Sequence, residues 1–126
     1  MSMYLKLVLL WLPSLLAAVP AARAEEAASQ ARLALVVGNA QYQSAPLKNP
    51  VNDARAMAQA LQEVGFEVLL RENLSQQQLI AAMREFGERL KAQGGVALFY
   101  YAGHGVQIKG QNYLVPVDAM VDNEDE

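Results

Sequence analysis

The sequence predicts an α/β domain whose mainly parallel sheet is covered by helices on both faces, a three-layer sandwich. Apolar, β-prone runs alternate along the chain with stretches of helical periodicity, an order typical of parallel strands joined by right-handed crossovers. The run at residues 96–102 (VALFYYA) is continuously apolar, as expected of a strand buried on both faces. The predicted order is therefore strand, helix, strand, helix, strand and hairpin.

The first half of the domain is predicted to contain one strand and one helix. Residues 32–37 (RLALVV) are β-prone and end at Gly38. A helix is predicted to begin at Pro50, because the missing N–H of proline is not needed in a first turn, with Asn49 as the cap. Gly65 ends this helix. Its apolar stripe consists of Val51, Ala54, Ala58 and Leu61, with Met57 and Val64 beside it.

A second strand and a second helix follow in the same alternation. Residues 66–70 (FEVLL) are short and apolar and form the next predicted strand. Ser75, with Gln78 three residues further on, is a capping-box signature for the second helix. That helix ends at the two glycines of residues 94–95, and its apolar face consists of Leu79, Met83, Phe86 and Leu90.

The third strand is predicted to end at the Gly-His-Gly of residues 103–105. Beyond it, residues 106–109 and 113–117 flank a glycine-containing turn, a pattern that predicts a β-hairpin. From Asp118 onward the chain is acidic and is expected to have no regular structure.

Composition limits the functions open to the chain. The 126 residues suffice for one domain, and their formal net charge is −3. An acidic chain without a basic patch argues against nucleic acid as a partner. The sequence contains no cysteine, which excludes disulfides, thiolate metal sites and a cysteine nucleophile within these residues.

Residues 1–24 are predicted to be a secretory signal peptide. Lys6 precedes an apolar stretch at residues 7–19, and the Ala-Arg-Ala of residues 22–24 fits a cleavage site. The alternative is a membrane-spanning helix, but the stretch is shorter than the roughly 20 residues that a span requires. We therefore expect export to the periplasm or the extracellular space and no stable membrane span after cleavage. Residues 25–31 are expected to form a flexible lead-in.

His104 is the only histidine in the sequence, and it follows the predicted third strand. In open α/β sheets the ligand crevice lies beyond the carboxyl ends of the strands, which is where His104 would lie. Histidine is also the side chain whose unperturbed pKa suits proton transfer near neutral pH. The ordinary alternative is a structural histidine. Glycine on both sides favours function, because it lets a substrate backbone approach closely.

Other kinds of site find little support. One histidine without cysteine cannot build a metal shell, and no nucleotide-binding glycine motif occurs. No serine lies in a nucleophile-elbow context. Asp53, in the first turn of the predicted helix, has an ordinary explanation in its attraction to the helix dipole, worth roughly 0.3–1 kcal/mol.

Several blocks taken together resemble the caspase-like cysteine peptidases, in particular their bacterial metacaspase-type branch. They are RLALVVGNAQY, LKNPVNDARAMAQAL followed by GFEV, ALFYYAGHG, and NYLVPVDA, and the resemblance covers residues 32–119. This combination is far more specific than Gly-His-Gly alone. The resemblance implies a caspase–haemoglobinase fold, of which the chain carries a part, and hydrolysis of peptide bonds by a cysteine–histidine dyad.

The resemblance also implies roles for three residues. His104 matches the catalytic histidine, which takes the thiol proton and returns it to the leaving amine. Gly105 matches a residue whose backbone N–H helps to form the oxyanion hole. Asp53 matches an aspartate that lines the pocket for the residue before the scissile bond, where a carboxylate favours Arg or Lys. No cofactor or metal is predicted, and calcium enters only by family analogy.

One departure from the family pattern bears on activity. In the caspase pattern the nucleophilic cysteine follows the histidine by about 50 residues, and this sequence contains no cysteine. We therefore expect residues 32–126 to be a truncated, amino-terminal part of the domain, inactive alone and able to process a peptide or protein substrate only when a cysteine-bearing segment completes it. Two alternatives stay open: a non-catalytic binding module on the same scaffold, and an unrelated α/β domain. The oligomeric state is not predicted.

Overall fold

The computed structural model describes residues 3–10, 21 and 30–120. In this part of the chain two helices and five strands follow one another. They are β1 (Met3–Leu10), β2 (Arg32–Gly38), α1 (Pro50–Glu63), β3 (Glu67–Glu72), α2 (Gln76–Gln93), β4 (Val96–Ile108) and β5 (Gln111–Leu114).

The strands form one mixed sheet in the order β1-β4-β2-β3. Strand β2 is parallel to both β3 and β4, whereas β1 and β5 pair with β4 in the antiparallel sense. Gly105 of β4 is opposite Met3 of β1 and also opposite Leu114 of β5, so β1 and β5 lie on opposite edges of β4. The predicted α/β fold with a mainly parallel core is confirmed.

The two helices cover opposite faces of the sheet because side chains alternate along each strand. On one face, α1 packs its buried alanines and Leu61 against residues 34, 36, 98, 100 and 102. On the other face, α2 packs Ala82 and Phe86 against residues 33, 35, 37, 69 and 101. Tyr100 and Tyr101 therefore belong to different halves of the core, as their adjacent positions predict.

Gly38 sets how closely α1 approaches the sheet. A Cβ atom at this position would lie 2.6 Å from the carbonyl oxygen of Pro50 and 2.7 Å from the Cβ of Ala54. The first turn of α1 therefore rests directly on the carboxyl end of β2. This contact fixes where the residues of that turn, including Asp53, lie relative to the sheet.

Of the two predicted helix caps, one is confirmed and the other is wrong. Ser75 and Gln78 form the predicted capping box at the start of α2. Asn49 is the cap residue of α1 by position, but its side chain makes no capping hydrogen bond. Its backbone is in the helical region (φ −101°, ψ −23°), whereas a side-chain cap requires an extended residue.

Some predicted core positions are wrong. Met83 is 43% exposed, because α2 turns Ala82 and Phe86 toward the sheet instead. Val64 is 57% exposed at the C-cap of α1, where the backbone has left the helical conformation. The second strand begins at Glu67, after the predicted residue 66, since its pairing with β2 starts at Leu33 opposite Glu67.

The segment that follows β5 is more ordered than predicted. The N–H of Val117 donates to the carbonyl oxygen of Leu74, and Oδ1 of Asp118 accepts from the N–H of Gln76 at 2.8 Å. Asp118 therefore satisfies a backbone donor at the start of α2, where the helix dipole favours a negative charge. The predicted hairpin is confirmed, but its bounds differ. The turn lies at Lys109 and Gly110, both of which have positive φ, and β5 spans Gln111–Leu114 instead of residues 113–117.

Strand β1 lies within the residues predicted to form a signal peptide. It pairs with β4 from Met3 opposite Gly105 to Leu10 opposite Leu98. This strand was not expected from the sequence, because the same apolar run also fits the core of a leader. The predicted cleavage motif at residues 22–24 and most of the predicted lead-in lie outside the described residues. Cleavage after residue 24 stays a prediction.

None of the described helices is long and apolar enough to cross a membrane.

A pair of glycine substitutions tests the contact between α1 and the sheet. Gly38→Ala is expected to lower the free energy of unfolding by about 1–3 kcal/mol, because the added methyl group overlaps α1. Gly87→Ala is the matched control, since nothing lies within 4 Å of its Cβ position in α2. It is expected to stabilise the chain by about 0.5–1 kcal/mol through helix propensity. Equal effects of the two substitutions in urea unfolding would contradict the close contact at Gly38.

Candidate active site

His104 lies just beyond the parallel part of the sheet. Strand β4 pairs with β2 as far as Ala102, which is opposite Gly38. The strand does not end at Gly-His-Gly as predicted, because β5 extends the ladder from Gly105 to Ile108. His104 is thus a strand residue at the carboxyl edge of the parallel strands. By the alternation along β4, its side chain points to the face that α1 covers, and it is 6% exposed.

A backbone carbonyl orients the imidazole ring of His104. The Nε2 atom lies 2.7 Å from the carbonyl oxygen of Ala45, in the loop between β2 and α1. A carbonyl oxygen can only accept, so the hydrogen bond requires the proton on Nε2. In that neutral tautomer the acceptor lone pair is on Nδ1. The ring of Tyr42 packs edge-on against the imidazole, with centroids 4.4 Å apart.

The hydroxyl groups of Tyr42 and Tyr101 bind the N–H and the carbonyl group of His104, respectively, at the same edge of β4. The N–H of His104 donates to Oη of Tyr42 at 2.9 Å, and Oη of Tyr101 donates to the carbonyl oxygen of His104 at 2.8 Å. That carbonyl also accepts from the N–H of Val115 at 3.0 Å. Both tyrosines are buried, Tyr101 completely. We call this arrangement the tyrosine clamp.

The protons available to the tyrosine clamp match its acceptors. Both hydroxyl groups lie 2.9 Å from the carbonyl oxygen of Val115 and 3.1 Å from each other. If Tyr101 donates to His104, Tyr42 donates to Val115, and each of the two carbonyls receives one hydroxyl proton. Burial raises the pKa of Tyr101 and of Tyr42, which keeps both phenols protonated.

The tyrosine clamp explains the glycine that precedes His104. A Cβ atom at Gly103 would lie 2.6 Å from Oη of Tyr101 and 2.7 Å from Oη of Tyr42. The residue before His104 must therefore lack a side chain, because a Cβ atom there would prevent the two hydroxyl groups from reaching the backbone of His104.

Two asparagines fix the start of the loop that carries Tyr42 and Ala45. The N–H of Asn39 donates to the carbonyl oxygen of Ala102, and its Oδ1 accepts from the N–H of Leu74. Oδ1 of Asn73 accepts from the N–H groups of residues 40 and 41. The loop therefore leaves the sheet in one direction, toward His104.

Asp53 lies on the same face of the sheet as His104, in the first turn of α1. Its Oδ2 accepts a hydrogen bond from the hydroxyl of Tyr4 at 2.6 Å and lies 2.7 Å from Nζ of Lys6. The hydrogen bond from Lys6, followed by that from Tyr4, lowers the pKa of the Asp53 carboxyl group. Tyr4 is opposite His104 in the pairing of β1 with β4. One residue of β1 thus lies beside His104 and contacts Asp53.

Gly105 directs its backbone N–H away from the tyrosine clamp. The N–H and carbonyl groups of His104 point toward Tyr42 and Val115, on the side of β2 and β5. Successive peptide groups of a strand point to alternate edges. The N–H of Gly105 therefore points to the other edge, which β1 occupies.

The roles of His104, Gly105 and Asp53 stay predictions, and the groups that hold these residues were not predicted from the sequence. Tyr42 carries a usable signal, since it is an aromatic residue in a loop that follows the carboxyl end of a strand. The carbonyl of Ala45 has no side-chain signal. In the described part of the chain, no three His, Cys, Asp or Glu side chains lie together as they would around a metal ion.

Comparison with known proteins agrees with this architecture. The profile of the peptidase family described as Caspase domain matches residues 31–125. The chain therefore belongs to the caspase domain family. It is also similar to mucosa-associated lymphoid tissue lymphoma translocation protein 1 of Homo sapiens and to its homologue in Mus musculus. Each is 36% identical over 89 residues, which cover 70% of this chain but 11% of the relative's length. Family members are peptidases, and these 126 residues contain no cysteine.

Conservative substitutions test the tyrosine clamp. Tyr42→Phe leaves the N–H of His104 without its acceptor, so the free energy of unfolding is expected to fall by about 1–3 kcal/mol. Tyr101→Phe is expected to cost less, because the carbonyl of His104 keeps the N–H of Val115. Tyr113→Phe is the control, since its hydroxyl is on an exposed side chain and donates to the side chain of Gln111, and it is expected to stay within about 0.5 kcal/mol of the parent chain. A cost for Tyr113→Phe as large as that for Tyr42→Phe would contradict the clamp.

The raised pKa values of the clamp tyrosines predict a loss of stability in alkali. Below about pH 10 both the folded and the unfolded phenols are protonated, and these two groups add no pH dependence. Above that pH the unfolded phenols ionise while the folded ones stay protonated, so unfolding is favoured by up to about 1.4 kcal/mol per pH unit for each tyrosine. Urea unfolding between pH 9 and 11 should show a shallower decline in the Tyr42→Phe/Tyr101→Phe double variant. An identical slope in both chains would be evidence against buried, protonated phenols.

Proposed function

We propose that this chain is the histidine-bearing part of an exported, metacaspase-type cysteine endopeptidase that cleaves after Arg or Lys. The observation that carries the proposal is the hydrogen bond from Nε2 of His104 to the carbonyl of Ala45. It selects the tautomer whose Nδ1 is basic and fixes the ring at the carboxyl edge of the sheet. The membership of the chain in a peptidase family supports the same role.

In the proposed reaction, Nδ1 of His104 takes the proton from a cysteine thiol. The thiolate then attacks the carbonyl carbon of the scissile peptide bond, and the imidazolium returns its proton to the departing amine. Water hydrolyses the resulting thioester, which frees the acid product and regenerates the thiol. Because these 126 residues contain no cysteine, the thiol has to come from another segment. We expect the chain alone to be inactive.

The oxyanion of this reaction would be stabilised at the edge of β4. The N–H of Gly105 points to that edge, one residue from the imidazole, and a backbone N–H is a suitable donor to a developing negative charge. The N–H of the missing cysteine is the proposed second donor. A strand that carries this cysteine would have to lie where β1 now pairs with β4.

Asp53 is the proposed determinant of specificity for basic residues. The carboxylate is in contact with a cation, Nζ of Lys6, at 2.7 Å, and this contact supports its suitability for an ammonium or guanidinium group. Its location on the His104 face, at the start of α1, is consistent with a pocket for the residue before the scissile bond. Export rests on the leader sequence alone.

A second candidate function is a non-catalytic binding module on the caspase scaffold. The absence of cysteine favours it. The coding DNA beyond codon 126 separates the two proposals. A continuation that encodes Asp-x-Cys near the family spacing supports the peptidase, whereas a stop codon without such a motif in any frame supports the binding module.

Peptide hydrolysis by a chain that joins residues 32–119 to a cysteine-bearing segment tests the peptidase. Such a chain is expected to cleave after Arg or Lys and not after Asp. His104→Ala should reduce kcat by at least about 100-fold, because general-base catalysis is lost, with thermal unfolding as the control for folding. Asp53→Asn should remove the preference for basic residues and leave the thiol reactive. Full activity in His104→Ala would overturn the role assigned to this histidine.

A further inference from the structure

We propose that Asn39 is a positioning residue for His104, whose side-chain amide donates to Oη of Tyr101 and thereby sets the direction of the hydrogen bonds in the tyrosine clamp. A third side chain then belongs to the clamp. These hydrogen bonds follow from the geometry of the chain itself, whereas their value for catalysis rests on the function proposed for His104.

Asn39 is a polar residue without access to solvent. It is 0% exposed, and buried polar groups are normally hydrogen-bonded. Its Oδ1 accepts from the N–H of Leu74 at 2.9 Å. Within the described part of the chain, its Nδ2 has no partner with the geometry of a full hydrogen bond. The amide cannot be turned over to hide this donor, because the N–H of Leu74 needs an oxygen as its acceptor.

The amide of Asn39 and the two phenol oxygens lie on the same face of the sheet. Tyr101 and Leu74 belong to the core cluster on the α2 face, and the hydrogen bond to Leu74 places the amide of Asn39 there too. By the alternation along β4, a Cβ atom at Gly103 would point to this face as well. It would lie 2.6 Å from Oη of Tyr101 and 2.7 Å from Oη of Tyr42. Both hydroxyl groups are therefore on the side of the sheet that the amide occupies.

The pKa values of the two phenols respond to this amide. Burial raises the pKa of Tyr101 and of Tyr42, and the side chain of Asn39 acts on both pKa values in the opposite direction. A donor that faces a phenol oxygen has this effect, because it stabilises the phenolate. Nδ2 of Asn39 is therefore near both oxygens, and a small rotation of the amide completes the hydrogen bond to one of them.

The count of protons identifies Tyr101 as the acceptor. When Tyr101 donates to His104 and Tyr42 donates to Val115, each phenol has used its one proton. Oη of Tyr42 also accepts from the N–H of His104. In this arrangement Oη of Tyr101 accepts from neither Tyr42 nor His104. The unpaired donor of Asn39 and the open acceptor of Tyr101 therefore match.

An amide donor at this position decides between two arrangements of the clamp. If Tyr42 donated to Tyr101 instead, the carbonyls of His104 and Val115 would share the one remaining hydroxyl proton. Nδ2 of Asn39 takes the acceptor position at Tyr101, and the proton of Tyr42 stays on Val115. The proton of Tyr101 then stays on His104, whose backbone is held at both its N–H and its carbonyl. This fixes the point from which the imidazole side chain starts.

The first experiment follows the carbonyl of His104 in the full chain. As His104 is the only histidine, labelling with [1-¹³C]histidine gives the ¹³C resonance of this carbonyl alone. Asn39→Asp keeps an oxygen for the N–H of Leu74 but replaces the donor with a carboxylate oxygen, which can only accept. The proton of Tyr101 is expected to turn to that oxygen at pH 8. The resonance should then move upfield by most of the shift that Tyr101→Phe produces.

Protonation of the new carboxyl group provides the reverse step. As the pH falls, the resonance of Asn39→Asp should return to that of the parent chain at the same pH, because a carboxylic acid donates as the amide does. A loss of packing alone would not be reversed by protons. Asn112→Asp, the same change at an exposed position of β5, is the control and should match the parent chain throughout. A resonance of Asn39→Asp that matches the parent at every pH would overturn the proposal.

The second experiment keeps Asn39 in place, so it does not depend on the folding of an Asn39 variant. Hydrogen exchange of the side-chain amide of Asn39 is expected to be about tenfold faster in Tyr101→Phe than in Tyr42→Phe, because only Tyr101→Phe removes the oxygen to which Nδ2 donates. Each rate is taken relative to the backbone N–H of Val36, which reports opening of the whole sheet. Equal relative rates in the two variants would overturn the assignment of Tyr101 as the acceptor. Both experiments use the chain without any peptidase activity, so their failure would leave the proposed function intact, and an inactive completed enzyme would leave the clamp arrangement intact.

Discussion

The candidate site depends on two buried hydroxyl groups that meet over the backbone of His104. Tyr42 accepts from its N–H, and Tyr101 donates to its carbonyl. Without Tyr42 the buried N–H of His104 would lose its acceptor, and without Tyr101 the carbonyl would keep only the N–H of Val115. The clamp supplies one hydroxyl group from the β2–α1 loop and one from β4 itself. It therefore joins the β2–α1 loop, β4 and the segment after β5 into one rigid unit around the imidazole.

The secondary structure around the site can be predicted from the sequence, from the periodicity of apolar residues and from the glycines that end each element. Alternating apolar runs and helical stripes are sufficient to predict the sheet, both helices and the hairpin. The reason is that burial on one or two faces of an element requires apolar residues at a regular spacing within it. The position of His104 near the carboxyl edge follows from the same pattern. The tyrosine clamp cannot be predicted from this pattern. Tyr42 and Tyr101 are 59 residues apart, and their contact depends on how the loop folds back.

The departures from prediction have a common physical reason. Asp118 caps α2 across 42 residues of sequence, and β1 pairs with β4 across nearly the whole described chain. Neither long-range contact leaves a periodic signal. The apolar run of β1 in particular satisfies two patterns at once, that of a leader and that of a strand.

The hydrogen bond to the carbonyl of Ala45 holds His104 with its proton on Nε2 and its acceptor lone pair on Nδ1. As His104 is the only histidine, a ¹⁵N–¹H correlation spectrum of the imidazole in the full chain reports on this residue alone. We expect a single tautomer, protonated on Nε2, whose Nε2 proton exchanges slowly with water because it donates to the carbonyl of Ala45. A ring protonated on Nδ1, or one that averages rapidly between the two tautomers, would contradict it.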